Sequence, residues 1–298
     1  MSILPADPLE DLLPPFELVS TKEQTVPFVF CSPHSGRIYP NSFLAQSRLD
    51  ALSLRKSEDC FVDQLFAGVA DMGAPLIAAR FPRAFIDANR EPFELDPSLF
   101  NEPLPDYANA QTARVVGGLG TIPRIVADGE DIYERRIPLS EAMDRIDRLY
   151  KPFHAMLASL IENTRRRFGY AILIDCHSMP STLVAQPSSA RPDFVIGDRY
   201  GSSSDPRLVR CLRDAIGGVG YDSQANRPYA GGFITEYYGR PARGVHAIQV
   251  EINRGLYLDE ASIVPTAGFE HLKADLMDLA AQIFMDMPRL MERRAAAE

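Results

Sequence analysis

Several things are missing from this 298-residue sequence, and each absence narrows its reading: there is no tryptophan, and only five histidines and four cysteines occur. Long hydrophobic runs are also missing. Apolar stretches such as residues 170–174 and 247–250 fall far short of the roughly 20 residues that cross a bilayer as a helix, so no membrane span is expected. Basic residues are outnumbered, 31 Lys+Arg against 40 Asp+Glu, for a formal charge of −9. Nucleic acids and anionic membranes both demand a basic footprint, and this balance argues against either as a partner. Near the N-terminus, Asp7, Glu10 and Asp11 stand where an export signal would carry a basic patch and an apolar run, so a cytoplasmic address is the expectation. Cys31, Cys60, Cys176 and Cys211 include no CxxC pair. They read as reduced, partly buried thiols rather than a disulfide framework.

What is present alternates. Apolar runs of strand length recur at residues 26–31, 75–79, 84–86, 171–175, 194–196 and 247–252. Helical spacing covers residues 43–56, 61–71, 139–168 with an interruption at Pro152, 206–216 and 269–287. Alternation of this kind predicts an α/β fold with a mixed, largely parallel sheet flanked by helices. No repeat, low-complexity segment or linker divides the chain, so a single domain spanning residues 1–298 is expected. Residues 89–110 and 117–129 read as long loops, which in a compact domain often serve function.

His34 follows the apolar run 26–31 through Ser32-Pro33, and His177 follows the run 171–176. Each therefore falls at the carboxyl end of an expected strand, the edge at which open parallel sheets bind ligands. One such histidine is most simply a loop residue that caps backbone groups. Two in the same kind of place open a second reading, a metal centre. Ser57-Glu58-Asp59-Cys60 opens a helical pattern through Val62, Leu65 and Phe66, where acids also suit the helix dipole. A carboxylate from that pair would complete the two-histidine, one-carboxylate set that catalytic Zn2+, or another divalent transition metal, favours with one position open to water. Hydrolysis of an amide then needs a base for the water proton and an acid for the departing nitrogen. Glu251 suits both roles, because an ionisable group inside the apolar run 247–252 is costly unless paired or catalytic; an ion pair with Arg254 is the structural alternative.

Arg83-Ala-Phe-Ile-Asp-Ala-Asn-Arg90 joins two guanidiniums and an amide across a short expected strand. A planar guanidinium suits a bidentate carboxylate, and a second cation suits a developing oxyanion. Arg124 is a further donor candidate, and Gly231-Gly232 marks a place where backbone could approach a ligand or simply turn. His154, His246 and His271 read as structural.

Taken together, Ser32-Pro-His-Ser-Gly36, Asp59 with Val62 and Leu65, Ile86-Asp-Ala-Asn-Arg90, Asp175-Cys-His-Ser-Met179, Tyr229-Ala-Gly-Gly-Phe-Ile-Thr235 and Gln249-Val-Glu-Ile-Asn-Arg254 with Tyr257 and Glu260 resemble the N-formylglutamate amidohydrolase family. The resemblance spans about residues 26–260. It implies a fold similar to zinc carboxypeptidases and aspartoacylase, with zinc held by His34, Asp59 and His177 and with Glu251 as general base and acid. It also implies that Arg83 polarises the scissile carbonyl while Asn89 and Arg90 grip the substrate carboxylate. The zinc carboxypeptidases carry their first two ligands as His-x-x-Glu; no acid stands at that offset from His34 here, so Glu58 remains the fallback for Asp59. The implied reaction releases formate from N-formyl-L-glutamate, a closing step of histidine degradation, with a small N-acylamino acid as the partner molecule. Competing expectations are a deacylase for another N-acylamino acid, a non-catalytic dicarboxylate-binding protein on the same fold, and an acyl enzyme built on Ser35 or Cys60.

Overall fold

The most apolar runs of the sequence become the centre of one sheet. The computed structural model describes residues 7–20, 23–126, 129–182 and 192–295. In chain order they form β1 (Phe16–Val19), β2 (Phe28–Ser32), α1 (Asn41–Gln46), α2 (Ala51–Arg55), α3 (Val62–Phe66), β3 (Leu76–Ala79), α4 (Ala113–Val116), α5 (Leu139–Arg145) and α6 (Lys151–Phe168). There follow β4 (Ala171–Met179), β5 (Phe194–Gly197), α7 (Pro206–Gly218), β6 (Ser223–Ala225), α8 (Phe233–Tyr238), β7 (Val245–Asn253), the short pair β8 (Leu258–Asp259) and β9 (Val264–Pro265), and α9 (Gly268–Ala295). The main sheet has seven strands in the order β1-β3-β2-β4-β7-β5-β6. β2 and β4, β4 and β7, and β5 and β6 pair in parallel, while β5 runs antiparallel to β7. The fold is thus a mixed, mostly parallel sheet flanked by helices.

Contacts divide the chain into two compact units. The first comprises Met1–Glu17, Pro33–Cys60 and Ala78–Met156. Its regular elements are short, and its interior is organised around a guanidinium: Arg145 is fully buried, with Cζ 3.8 Å from the Phe85 ring centroid. Arg145 also donates to the Phe85 carbonyl at 3.1 Å and to the Tyr133 hydroxyl at 2.7 Å, and pairs with Glu141.

The second unit comprises Leu18–Ser32, Phe61–Ile77 and Leu157–Glu298. It holds the central strands β2, β4, β7 and β5, which are buried throughout. Phe28 and Phe30 pack against Phe284 with ring centroids 4.6 and 6.0 Å apart, and Phe30 against Phe66 at 5.8 Å. At the carboxyl ends of β4 and β7 the two faces diverge. Ile174, Cys176, Ile248, Val250 and Ile252 alternate with Asp175, His177, Gln249 and Glu251, which puts the polar set on one face of the pleat.

Several local expectations need correcting. Residues 84–86 form a turn rather than a strand: the Phe85 and Ile86 N–H groups donate back to the Pro82 carbonyl, so the segment has no edge to offer a sheet. The helix expected over residues 43–56 is two helices, α1 and α2. They are separated by a bridge between Ser47 and Tyr133 and by Asp50, whose side chain accepts from the Ser53 N–H as the cap of α2. Helix α3 begins only at Val62, after Phe61 in the left-handed region at φ 63°, so Glu58 and Asp59 precede the helix instead of lining its first turn. Pro152 does not interrupt its helix. It is the second residue of α6, and the disturbance its ring and missing N–H impose coincides with the π turn Ile146–Tyr150 just ahead. His177 and His246 lie inside β4 and β7 rather than beside them, and β1, β6 and α8 were not legible as elements. Of the expected loop 117–129, residues 127–128 lie outside the described residues.

Candidate metal centre

The register of β4 and β7 aligns Asp175 with Gln249 and His177 with Glu251. Partners in a parallel pair project to the same side, so His177 and Glu251 are neighbours on one polar face. His177 is 3% exposed and Glu251 7%. Two residues back along β4, Asp175 Oδ1 lies 3.0 Å from His177 Nε2, and Thr235 of α8 donates to Asp175 Oδ2 at 3.2 Å. Gln249 links the glycine pair to the acid: its Oε1 accepts from the Gly232 N–H at 2.7 Å, and its Nε2 donates to Glu251 Oε1 at 2.8 Å. Because the carbonyl end of the amide is committed to an N–H, its amino end must face the carboxylate. Gly231 has φ +114°, a conformation side chains rarely adopt.

His34 and Asp59 are held differently. His34 sits in the turn after β2, and Gly36 must be glycine there, since a Cβ would stand 2.0 Å from the Phe81 carbonyl oxygen. The Asp59 N–H donates to the His34 carbonyl at 3.0 Å and Ser35 Oγ donates to the Asp59 carbonyl at 3.1 Å. Asp59 Oδ2 then lies 3.3 Å from His34 Nδ1, both side chains being buried. Glu58 is buried as well, and that burial raises its pKa. Its oxygens accept from Tyr39 at 2.6 Å, from Arg55 at 3.2 Å and from the Cys60 thiol at 3.2 Å. The other ring nitrogen of His34 meets Asp87, with Nε2 to Oδ1 2.7 Å. Burial alone would raise the Asp87 carboxyl, but Arg90, His34 and Arg83 outweigh it and hold it well below the usual carboxylate range.

Cys31 of β2 pairs with Asp175 of β4, so the chain leaves β2 for His34 at the level of the polar end of β4. One ligand atom from each of His34, Asp59 and His177 lies within 4.8 Å of the other two, and all three residues are buried. Two imidazoles and a carboxylate make a donor set suited to zinc and similar divalent metals. A second feature fits as well: the Asp87 carboxylate is hydrogen-bonded to the Nε2 of His34, the arrangement that orients metal-binding histidines, whereas Asp175 Oδ1 lies near His177 Nε2 without a hydrogen bond.

The remaining candidates are placed as follows. Arg83 Nε donates to Asp87 Oδ2 at 3.0 Å, with the Arg83 side chain 27% exposed. Arg90 is buried: Nε donates to the Leu119 carbonyl, Nη1 to the Asn89 carbonyl, and Nη2 lies 3.4 Å from Asp87 Oδ2. Burial lowers its guanidinium to about 10. Asn89 donates its N–H to Asp87 Oδ1 at 2.8 Å. Arg124 is divided between Asp96 at 3.0 Å and Asp131 at 2.7 Å. His154 Nε2 bonds the Ala88 carbonyl, His246 Nδ1 accepts from the Asp205 N–H, and His271 lies exposed beside Asp275. Arg254 Nε donates to Ser178 Oγ at 3.0 Å. Sequence reasoning missed Asp87, Asp175 and Gln249 as members of these networks. The period-two alternation of residues 175–177 and 249–253 carries a signal for the last two.

Comparison with known proteins returns a consistent set. A sequence-family model described as N-formylglutamate amidohydrolase matches residues 26–258. The chain is 30% identical over 247 residues to an N-formylglutamate deformylase of Pseudomonas putida, covering 82% of this chain and 86% of the relative. A Pseudomonas aeruginosa protein of the same description matches to the same extent. Among solved structures, the N-formylglutamate amidohydrolase from Ralstonia eutropha JMP134 superposes with a TM-score of 0.85 at 34% identity, covering 94% of this chain and 99% of that one. A gene product of Agrobacterium tumefaciens shares the fold at 17% identity and a TM-score of 0.61.

Proposed function

The chain belongs to the N-formylglutamate amidohydrolase family and is an amide-hydrolysing enzyme, and from that premise we propose that it releases formate from N-formyl-L-glutamate with the help of a divalent metal, zinc being the choice. The observation that carries the metal in this reading is the buried cluster of His34, Asp59 and His177. Asp59 is the proposed carboxylate ligand in preference to Glu58, whose oxygens are committed to Tyr39, Arg55 and Cys60. A bound divalent ion supplies Lewis acidity, acidifying water and polarising an amide carbonyl.

The chain's own residues then divide the work. Glu251, beside His177 on the polar face, takes the proton of the attacking water and returns it to the departing nitrogen. Gln249 keeps the Glu251 carboxylate turned by a hydrogen bond at 2.8 Å. Arg83, the more open of the two guanidiniums, donates to the substrate carbonyl as charge gathers on its oxygen. Asn89 and Arg90 hold the substrate carboxylate, with Arg124 and the Gly231-Gly232 turn at the margin. The products are formate and glutamate, consistent with a cytoplasmic step in histidine degradation. The chain also works as a single domain in this proposal, since each compact unit is assembled from three separate segments and three of the divisions fall within β1, β3 and α6.

The deciding experiment compares kcat/KM for N-formyl-L-glutamate, N-formyl-L-aspartate and N-acetyl-L-glutamate, each with metal-loaded and chelator-stripped protein. The proposal expects the first substrate to lead and stripping to abolish turnover. Equal or greater activity on the acetyl compound would replace the substrate, and full activity after verified metal removal would discard the metal.

A further inference from the structure

Asp87 is 1% exposed and lies between two turns with no strand or helix to fix it, yet four polar groups converge on its carboxylate. Its two oxygens are shared out by side. Oδ1 faces His34 Nε2 at 2.7 Å and the Asn89 N–H at 2.8 Å, while Oδ2 faces Arg83 Nε at 3.0 Å and Arg90 Nη2 at 3.4 Å. A carboxylate offers about four lone-pair sites, so one oxygen serves the imidazole and the other serves the guanidiniums. The backbone around it is pinned too: the Asp87 N–H donates to the Thr121 carbonyl at 2.8 Å, His154 bonds the Ala88 carbonyl at 2.8 Å, and the Tyr150 hydroxyl donates to the Arg90 carbonyl at 2.6 Å.

We propose that Asp87 is a positioning residue that couples metal binding to the orientation of Arg83 and Arg90, because a single carboxylate fixes the ring of His34 with one oxygen and the two guanidiniums with the other. By accepting from Nε2 it keeps the imidazole proton there and leaves the Nδ1 lone pair, on the side of Asp59, for the metal. The guanidiniums in turn keep the carboxylate from rotating away from the ring. A side chain with no ligand atom to offer, Arg83, therefore influences metal affinity through Asp87. This inference rests on the reading that His34 is a metal ligand, and it deepens that reading.

The test uses the full-length protein, stripped of metal and titrated with Zn2+ in competition with a chelating indicator. Asp87→Asn, nearly isosteric, is expected to weaken zinc binding about 10- to 100-fold and to raise KM for N-formyl-L-glutamate. Arg83→Gln is expected to weaken zinc binding severalfold in the native background and not at all on top of Asp87→Asn, the non-additivity of residues sharing one network. A carboxylate that merely held the fold would lower the unfolding midpoint and leave the zinc affinity of the folded protein unchanged. Zinc affinity of Asp87→Asn within twofold of the native protein, or an Arg83→Gln effect of the same size in both backgrounds, overturns the proposal. Should Asp87→Asn fail to fold, Asp87→Glu is judged by the same zinc affinity and the same Arg83→Gln comparison. Because zinc affinity is read without substrate, a native protein that binds zinc tightly but ignores the formyl substrate would sink the substrate assignment and leave this inference standing.

Discussion

His177 and Glu251 stand side by side because β4 and β7 pair in register, whereas His34 and Asp59 stand in loops and are positioned by Asp87, Ser35 and one another. In the strand region the main chain holds the geometry, and a side chain is replaceable without losing the scaffold. In the loop region the side chains are the scaffold. The difference has consequences for mutation: a strand-borne residue should lose its chemistry and keep its fold, and a loop-borne charge should lose some of both. The largest expected effect tests the first half of that statement. His177→Ala should release the metal and lower kcat/KM by at least about 10⁴-fold, the several kcal/mol expected of a Lewis acid, with an unchanged circular dichroism spectrum. Metal content measured by elemental analysis checks it, and a variant that retains stoichiometric metal breaks the comparison at its strongest point.

Next in size, Glu251→Gln should cut kcat by about 10²- to 10⁴-fold, the usual worth of a positioned acid–base group, while metal content stays stoichiometric. Steady-state kinetics beside elemental analysis read both. A kcat within a few-fold of native removes Glu251 from proton transfer and returns it to a structural role. The counterpart in the loop-rich unit is Arg145→Met, at the end of α5. Taking this fully buried guanidinium from Phe85, Tyr133 and Glu141 should cost about 3 kcal/mol, since breaking a buried charge network strands its partners; the urea midpoint is the measurement. If Arg145→Met unfolds no more readily than Glu251→Gln, the claim that charge holds the loop region together fails.

How far the sequence could be read follows the same division. The runs that became β2, β4, β5 and β7 were legible because buried strands are apolar for their whole length, and His34, His177 and Glu251 were legible because a polar group interrupts or ends such a run. Gln249 and Asp175 belong to the same alternation but carry a weaker signal: a neutral amide in a strand is cheaper to bury than a charge, and an aspartate after the apolar run 171–174 reads as the end of the strand. The loop region resisted. Residues 84–86 look like a strand because nothing in Ala-Phe-Ile reveals that the Pro82 carbonyl collects their N–H groups, and with the strand goes any hint that Asp87 turns inward. Arg145 lies on a helical pattern where an arginine reads as solvated. Its place beneath Phe85 is a tertiary fact that no local spacing encodes.

A smaller effect sharpens the strand side. Gln249→Leu removes the donor to Glu251 and the acceptor for the Gly232 N–H, and should lower kcat roughly tenfold, at the low end of what a hydrogen bond to a charged group is worth. KM should move much less. Stopped assays of formate release at saturating substrate read the change, and an effect confined to KM would mean that Gln249 serves the glycine turn rather than the acid.

The smallest expected effect falls on Arg124, and it marks the outer edge of the loop network. Its guanidinium is about one-third exposed, with Nε on Asp96 and Nη1 on Asp131, so a substrate carboxylate would have to compete with two anions already in place. Exposed pairs of this kind are worth no more than about 1 kcal/mol, and losing the side chain relieves a competitor as well as a donor. Arg124→Gln should therefore raise KM by no more than about threefold, leave kcat unchanged and shift the urea midpoint slightly. A KM increase of 30-fold or more would show that Arg124 abandons Asp96 and Asp131 when substrate arrives. The loop region would then be a set of side chains that re-pair on binding, and the fixed ionic frame ascribed to it above would hold only for the free enzyme.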